Sequence, residues 1–151
     1  MGFIDSVKSA FLKCFDYQSR SSRSEFWWFY AFTLLTYFFD AIIRTVSGES
    51  IGYLIISIII SIGIFVPYIS LTIRRLHDIN LSGWWYLFYS VLPLAIILIA
   101  FVSSLYLMFL SLFIFIYFVY LMVKKGTEGP NKFGNDPLSD VSPKEDSPFP
   151  R

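Results

Sequence analysis

The chain has 151 residues, 56% of them hydrophobic and 15% charged, with a formal net charge of +1. A soluble domain carries about 45–50% apolar and about 25% charged residues, and the surplus here is gathered into long uncharged runs, for which a bilayer is the natural solvent. The single cysteine, Cys14, and the single histidine, His77, exclude an intrachain disulfide, a cysteine cluster and a multi-histidine metal site.

Residues 3–15 read as an amphipathic helix. Phe3, Ile4, Val7, Ala10, Phe11, Cys14 and Phe15 recur at three- and four-residue steps, with Asp5, Lys8, Ser9 and Lys13 on the other face. It is too short and too charged to cross a bilayer. Two placements stay open: flat in the headgroup layer, or packed on the protein's own loops. Asp5, Lys8, Lys13, Asp16, Arg20, Arg23 and Glu25 leave no apolar core for a cleaved signal peptide. Ser22 or Ser24 is placed to cap the next helix.

Four membrane spans are expected, at about residues 26–43, 51–73, 84–102 and 105–123. The first opens on Trp27 and Trp28 and ends near Asp40 and Arg44, whose i, i+4 spacing favours a local ion pair. The second is uncharged, and Gly63 and Pro67 predict a kink in its second half. Residues 84–123 hold no charge; they are too long for one helix and split into two by a turn near Ser103-Ser104, with Pro93 bending the third span. Trp84 and Trp85 open that third span, so both tryptophan pairs sit where an interfacial aromatic belt belongs. The fold class is therefore all-α, a polytopic membrane protein with four transmembrane helices and a short N-terminal amphipathic helix. It divides into an interfacial helix (1–16), a membrane domain (17–137) and a disordered tail (138–151).

Orientation follows from the cations. Lys8, Lys13, Arg20, Arg23, Arg74, Arg75, Lys124, Lys125, Lys132, Lys144 and Arg151 fall on one side of the four-span arrangement, and Arg44 alone on the other. Both termini are expected in the cytoplasm. The connections on the far side are short, which excludes a large extracytoplasmic domain.

The densest polar segment near the membrane is Arg74-Arg75-Leu76-His77-Asp78-Ile79-Asn80-Leu81-Ser82-Gly83. Paired guanidinium groups at an interface suit phosphate; equally, they set topology while Asp78 and Asn80 cap and turn the loop. His77 and Asp78 together have the elements of a base, but no nucleophile in recognisable context accompanies them. After the last span, Gly126-Thr127-Glu128-Gly129-Pro130-Asn131-Lys132-Phe133-Gly134-Asn135-Asp136-Pro137 reads as a defined turn whose glycines permit positive φ. It lacks the spacing of a phosphate-binding loop.

Three motifs, Ser22-Arg23-Ser24-Glu25-Phe26-Trp27-Trp28, Arg74-Arg75-Leu76-His77-Asp78-Ile79 with Ser82-Gly83-Trp84-Trp85, and Gly126 through Pro137, together resemble the bacterial domain-of-unknown-function 805 family. The resemblance covers about residues 12–137. It departs from the family pattern at Ser19, Lys132 and Asn135, where glycine, arginine and proline are common. It implies a bacterial inner membrane and brings no activity. It also singles out motifs that the four-span topology gathers on one face, so a composite cytoplasmic site is expected from Arg23, Glu25, Arg74, Arg75, His77, Asp78, Asn131 and Asp136, with Glu25 and Asp78 pairing some of the arginines.

The expected function is that of a binding or assembly protein, its site holding a membrane protein partner or an anionic phospholipid. A transport component is the alternative; it would work as a homo-oligomer. An enzyme acting on a lipid phosphate ranks last. No catalytic residue, metal, cofactor or nucleic-acid partner is expected.

Overall fold

The computed structural model describes residues 1–48, 50–92, 95–96 and 105–139, and among these it contains helices and turns without a β-strand. Helix α1 is Phe3–Leu12, α2 is Arg23–Ser47, α3 is Ile51–Asp78 and α4 is Leu105–Val123. A π-helical turn, Leu87–Val91, lies at the start of the third apolar segment. The bend at Pro93 and the turn at Ser103-Ser104 lie outside the described residues, as does the tail from residue 140 onward.

Helix α1 stops at Leu12, short of the expected end at 15, and the chain beyond it is held from α3. The Ser70 hydroxyl of α3 reaches the carbonyls of Lys13 (2.8 Å) and Asp16 (2.7 Å) and holds the chain as it leaves the helix. Of the two placements left open by sequence, the contacts show packing on the protein. Ser6 and Ala10 are buried, and Phe3 and Phe11 meet Trp28, Phe29 and Phe32 of α2 edge-on. Ile4, Leu12 and Phe15 remain open on the outer face at 65%, 86% and 77% exposure. An amphipathic helix with a second apolar face is suited to lie between protein and headgroups.

Helix α2 starts where Ser22 accepts the Glu25 N–H at 3.3 Å, so Ser22 is the cap. Helices α2 and α3 are each long and apolar enough to cross a membrane, and α4 is a shorter apolar helix. Helix α3 has 28 residues, about 42 Å at 1.5 Å per residue, against a hydrocarbon layer of about 30 Å. Its last turn, Arg74–Asp78, therefore stands beyond the apolar span that ends at Ile73. It passes through Pro67 without interruption of the helix.

Helix α3 ends in a Schellman motif: Leu81 N–H bonds the Leu76 carbonyl (2.9 Å) and Asn80 N–H the His77 carbonyl (3.0 Å). Asn80 takes the left-handed conformation this needs, at φ 64°, and Leu81 packs beside the fully buried Leu76. The wide π-turn that follows swings Tyr89 into the core, stacked on Trp85 and against Tyr117 and Phe118 of α4.

Burial is concentrated at one end. No residue of α3 before Ile64 is buried, whereas Ser70, Leu71, Thr72 and every residue from Arg74 to Asp78 are. Elsewhere the lateral surface is apolar and open, with Ile59, Phe109 and Phe113 at 64%, 68% and 72% exposure. Such a surface suits lipid and would be a liability in water. Far from the packed end, one polar contact joins α2 to α3: the Asp40 carboxylate accepts hydrogen bonds from Tyr53 (2.7 Å) and Ser57 (3.0 Å). Asp40 thus serves a tie between helices, beyond the pairing with Arg44 that its spacing favours. Tyr53→Phe, which removes one donor of this tie, should lower stability by about 1 kcal/mol, read as a lower thermal midpoint in detergent with the helical circular dichroism unchanged.

Candidate functional site

At the packed end, five charged groups are buried together: Arg20, Arg74, Arg75, Glu25 and Asp78. Charges leave water only when paired and hydrogen-bonded, and the local structure supplies both. Asp78 closes α3 and lies between two guanidinium groups. Its Oδ1 accepts from Arg20 Nη2 (2.9 Å) and Nε (3.1 Å), and its Oδ2 from Arg75 Nη1, one turn back on the same helix.

Arg20 spends its remaining donors on the segment after α4. Nη1 bonds the carbonyls of Gly129 (2.6 Å) and Gly134 (3.2 Å), and Nη2 that of Thr127 (2.5 Å). Arg75 caps α4, bonding the Met122 carbonyl (3.2 Å) through Nε and the Lys124 carbonyl through Nη2. These are carbonyls that a helix end otherwise leaves without a partner. The Asp78 carbonyl in turn takes the amide (2.8 Å) and hydroxyl (2.9 Å) of Thr127. One aspartate therefore joins the N-terminal segment, α3 and the C-terminal turn.

Glu25 holds a second pairing. Its carboxylate accepts from Arg74 Nη1 (3.2 Å), Ser9 of α1 (2.8 Å) and Ser21 (2.7 Å). It sits at the third helical position after the Ser22 cap, where a glutamate often turns back to the cap amide; here it is drawn away to Arg74. Arg74 is fully buried, and its Nε and Nη2 have no protein partner.

The C-terminal turn is built to receive these groups. Gly126 has no room for a side chain, since a Cβ there would stand 2.0 Å from Asp78 Oδ2. Its requirement is close approach rather than the positive φ expected from sequence, which Gly129 (73°) and Gly134 (127°) do adopt. Asn131 donates to the His77 carbonyl (2.9 Å) and to Thr127 Oγ1 (2.8 Å), and its own carbonyl side closes the turn on Phe133 N–H. Asp136 accepts the amides of Gly129 and Leu138. These hydrogen bonds outweigh the upward push of partial burial, and Asp136 is held below the ordinary aspartate value.

His77 and Asp78, adjacent in sequence, point to different partners. His77 Nδ1 faces the Ser19 carbonyl at 3.3 Å, so it carries the proton and donates. The imidazole stacks on Phe133 at 3.8 Å between ring centres, 2° from parallel. Burial pushes His77 below its usual value, and Lys132 adds to this, against the pull of the Ser19 and Gln18 carbonyls and of Asp16. Burial raises Asp78 against the pull of its two arginines. For Arg75, burial outweighs Asp78 and lowers the guanidinium to about 10, which leaves it charged at neutral pH.

Of the residues expected at a composite site, Glu25, Arg74, Arg75, His77, Asp78, Asn131 and Asp136 do come together. Arg23, at the first helical position, is exposed and lines a small cleft with Asp78 and Asp136 without entering the buried ion pairs. The arginine that reaches inward is Arg20, before the cap. Of the interfacial aromatics, Trp27 packs against the core, while Trp28, Trp84 and Trp85 are exposed at 45%, 79% and 41%.

The chain matches the family described as "Protein of unknown function (DUF805)" over residues 14–135. The chain belongs to this family. Its relatives include inner membrane protein YhaI of Escherichia coli K12, 32% identical over 124 residues, covering 80% of this chain and 85% of that protein. Inner membrane protein YhaH of the same strain is 28% identical over 123 residues, covering 80% and 86% respectively. No solved structure matches. The matched region takes in Arg20, Glu25, Arg74, Arg75, Asp78 and the turn as far as Asn135, so the family domain contains the network apart from Ser9 and Asp136.

Asp78→Asn should cost about 3–5 kcal/mol, because it strands two buried guanidinium groups without their counter-charge; loss of folded protein after detergent extraction reads this directly. Gly126→Ala should be comparably damaging by displacing the same carboxylate. Because His77 is depressed in the folded state, the unfolded chain binds its proton more readily. Its contribution to stability is therefore present above pH 6.5, the ordinary histidine value, and is lost as pH falls below it. Thermal midpoints between pH 7.5 and 5.5 should fall for the wild type and stay flatter for His77→Asn.

Proposed function

We propose that the chain crosses the bacterial inner membrane four times with both termini in the cytoplasm, and that it acts there as a binding or assembly protein through its charged end. One observation carries this reading. Buried Arg20 and Arg75 are spent on Asp78 and on backbone carbonyls, and Arg74 pairs with Glu25 through Nη1, which ties α1, α3, α4 and the C-terminal turn into one cap. The outward cations Lys8, Lys13, Arg23, Lys124, Lys125 and Lys132 stay exposed around it. A cap fixed from within and cationic without is a platform. The cytoplasmic leaflet is anionic, so such a rim suits anionic phospholipid and the acidic surface of a membrane protein partner. Arg74 and Arg75, fully buried, do not offer themselves to a ligand phosphate; the rim does.

Catalysis has less support. Asp78 is engaged by two arginines and His77 by Ser19, so the two do not form a base pair. A transport component remains the second reading, favoured by the unburied first half of α3, a face on which a homo-oligomer would build.

Two experiments test the proposal. In a Cys14→Ser background, single cysteines at Asn80 and Glu128 should react with impermeant maleimide only after lysis, and a cysteine at Glu49 in intact spheroplasts. The reverse pattern, or labelling of all three, sinks the topology. A photoreactive residue at Arg23 or Lys125 should capture one discrete protein or phospholipid in the cell. Cross-links confined to the chain itself would favour the oligomeric transport reading.

A further inference from the structure

A cavity of about 490 Å³ lies outside the charge network, between the N-terminal segment, the last turns of α3 and the start of the third apolar segment. Its volume falls within the range of small-molecule sites, roughly 300–1,000 Å³. Ile69, Ile73 and Leu87 make an apolar wall; Tyr17 and Trp84 stand at the mouth. The α3 wall runs from Ile69 to His77, a rise of about 12 Å, from the apolar span to the charged end. The cavity is therefore graded: apolar toward the membrane, polar where α3 leaves it.

The polar groups of the lining are the hydroxyls of Tyr17, Ser82 and Tyr86 and the His77 ring, whose state is defined. His77 is 6% exposed, and its Nδ1 is committed as a donor to Ser19. Nε2 is then left with its lone pair, and no described residue bonds it. It faces the cavity beside Gly83: a Cβ on Gly83 would lie 3.5 Å from Nε2 and 2.8 Å from Ile73 Cγ2. Glycine there keeps the passage to the imidazole clear. An acceptor open to an apolar slot favours a donor on the ligand.

Charge selects further. On the far side of the stacked ring pair, Lys132 Nζ lies 4.9 Å from the Phe133 ring centre, and Phe133 is 3.8 Å from His77. A cation one ring away from His77 biases its surroundings toward an anion, since the Debye length is about 10 Å. The neighbouring carboxylate, Asp16, is turned to the amides of Gln18 and Ser19 and the Ser19 hydroxyl. The cavity thus offers an apolar wall and a hydrogen-bond acceptor, with a cation beyond the Phe133 ring.

We propose that this cavity binds one phospholipid of the cytoplasmic leaflet, a phosphatidylglycerol, with an acyl chain along Ile69 and Ile73, a headgroup hydroxyl donating to His77 Nε2 and the phosphate beside Lys132. The inference deepens the binding reading above and rests on the charged end facing the cytoplasmic leaflet. It differs in naming a stoichiometric site in place of a diffuse rim.

The full-length protein, purified and exchanged into mixed micelles of phosphatidylglycerol, phosphatidylethanolamine and phosphatidylcholine, should retain one phosphatidylglycerol per chain by native mass spectrometry. His77→Asn keeps an amide donor near Ser19 and removes the acceptor; it should weaken retention about fivefold. Lys132→Gln, at an exposed position, should weaken it about threefold. Ile69→Trp, which fills the apolar wall far from the charge network, should abolish it, while the paired rim change Lys124→Gln and Lys125→Gln should leave it intact. Equal retention by wild type, His77→Asn and Ile69→Trp overturns the proposal, as does retention of phosphatidylethanolamine in preference, or no bound lipid on folded wild type. The cysteine labelling above separates the two failures: a cytoplasmic Asn80 with no bound lipid removes this site alone, and an external Asn80 removes the reading on which it rests.

Discussion

Asp78 between Arg20 and Arg75 is the constraint on which the rest of this protein depends. The carboxylate ends one helix, and the two guanidinium groups bonded to it carry the ends of two other segments: Arg75 takes the last carbonyls of α4, and Arg20 takes three carbonyls of the turn that follows it. Removing water from such a group is costly. The cost is met here by an unusual degree of satisfaction, with every N–H direction of Arg20 used. Gly126 fits the same constraint, because any side chain there would collide with the carboxylate.

Why charge, when apolar packing of similar volume is often as stable? Between membrane helices no hydrophobic force acts, since lipid tails are as apolar as leucine. Helix α4 has apolar residues all around it, and among its side chains from 107 onward only Ser111, Phe118, Leu121 and Met122 are buried. Its sequence does not say which face should turn inward. The Arg75 bonds to the end of α4 supply the missing information, fixing its height and position against α3. The same holds for α1, whose place is set by Ser9 on Glu25 and by Ser70 on the chain that leaves it.

Much of this was legible in the sequence, and the exceptions have physical causes. The end of α4 at Val123 followed from the lysines that close the uncharged run. Hydropathy placed the end of the second span at 73, yet α3 continues to Asp78; hydropathy reads the thickness of the hydrocarbon, and a helix goes on for as long as its backbone bonds and cap allow. The convergence of Glu25, Arg74, Arg75 and Asp78 was readable once three distant motifs were placed on one face. Choosing between Arg20 and Arg23 was not. Both are near the start of α2 in the same serine-rich stretch, and the choice turns on which serine caps the helix. With Ser22 as cap, Arg23 stays exposed at the first helical position, and Arg20 lies in the segment before it, bonded to Asp78 of α3. The stack of His77 on Phe133 was also hidden, because nothing local in either residue announces a partner 56 positions away.

The two ends of the helices are held by different means, and this bears on where function lies. At the charged end, ion pairs and carbonyl bonds fix positions to within a hydrogen bond's tolerance. At the other, Asp40 with Tyr53 and Ser57 is the polar tie between α2 and α3 among the described residues, and the first half of α3 has no buried residue. A protein whose work lay in the middle of the membrane would place its ionisable groups there, whereas this chain gathers them where α3 emerges. Its chemically differentiated part is the charged end: the exposed cationic rim, the ion-pair network beneath it, and beside both a cavity onto which His77 Nε2 opens. The buried charges thus act as a frame, and the groups left available to a partner are those the frame positions and does not consume.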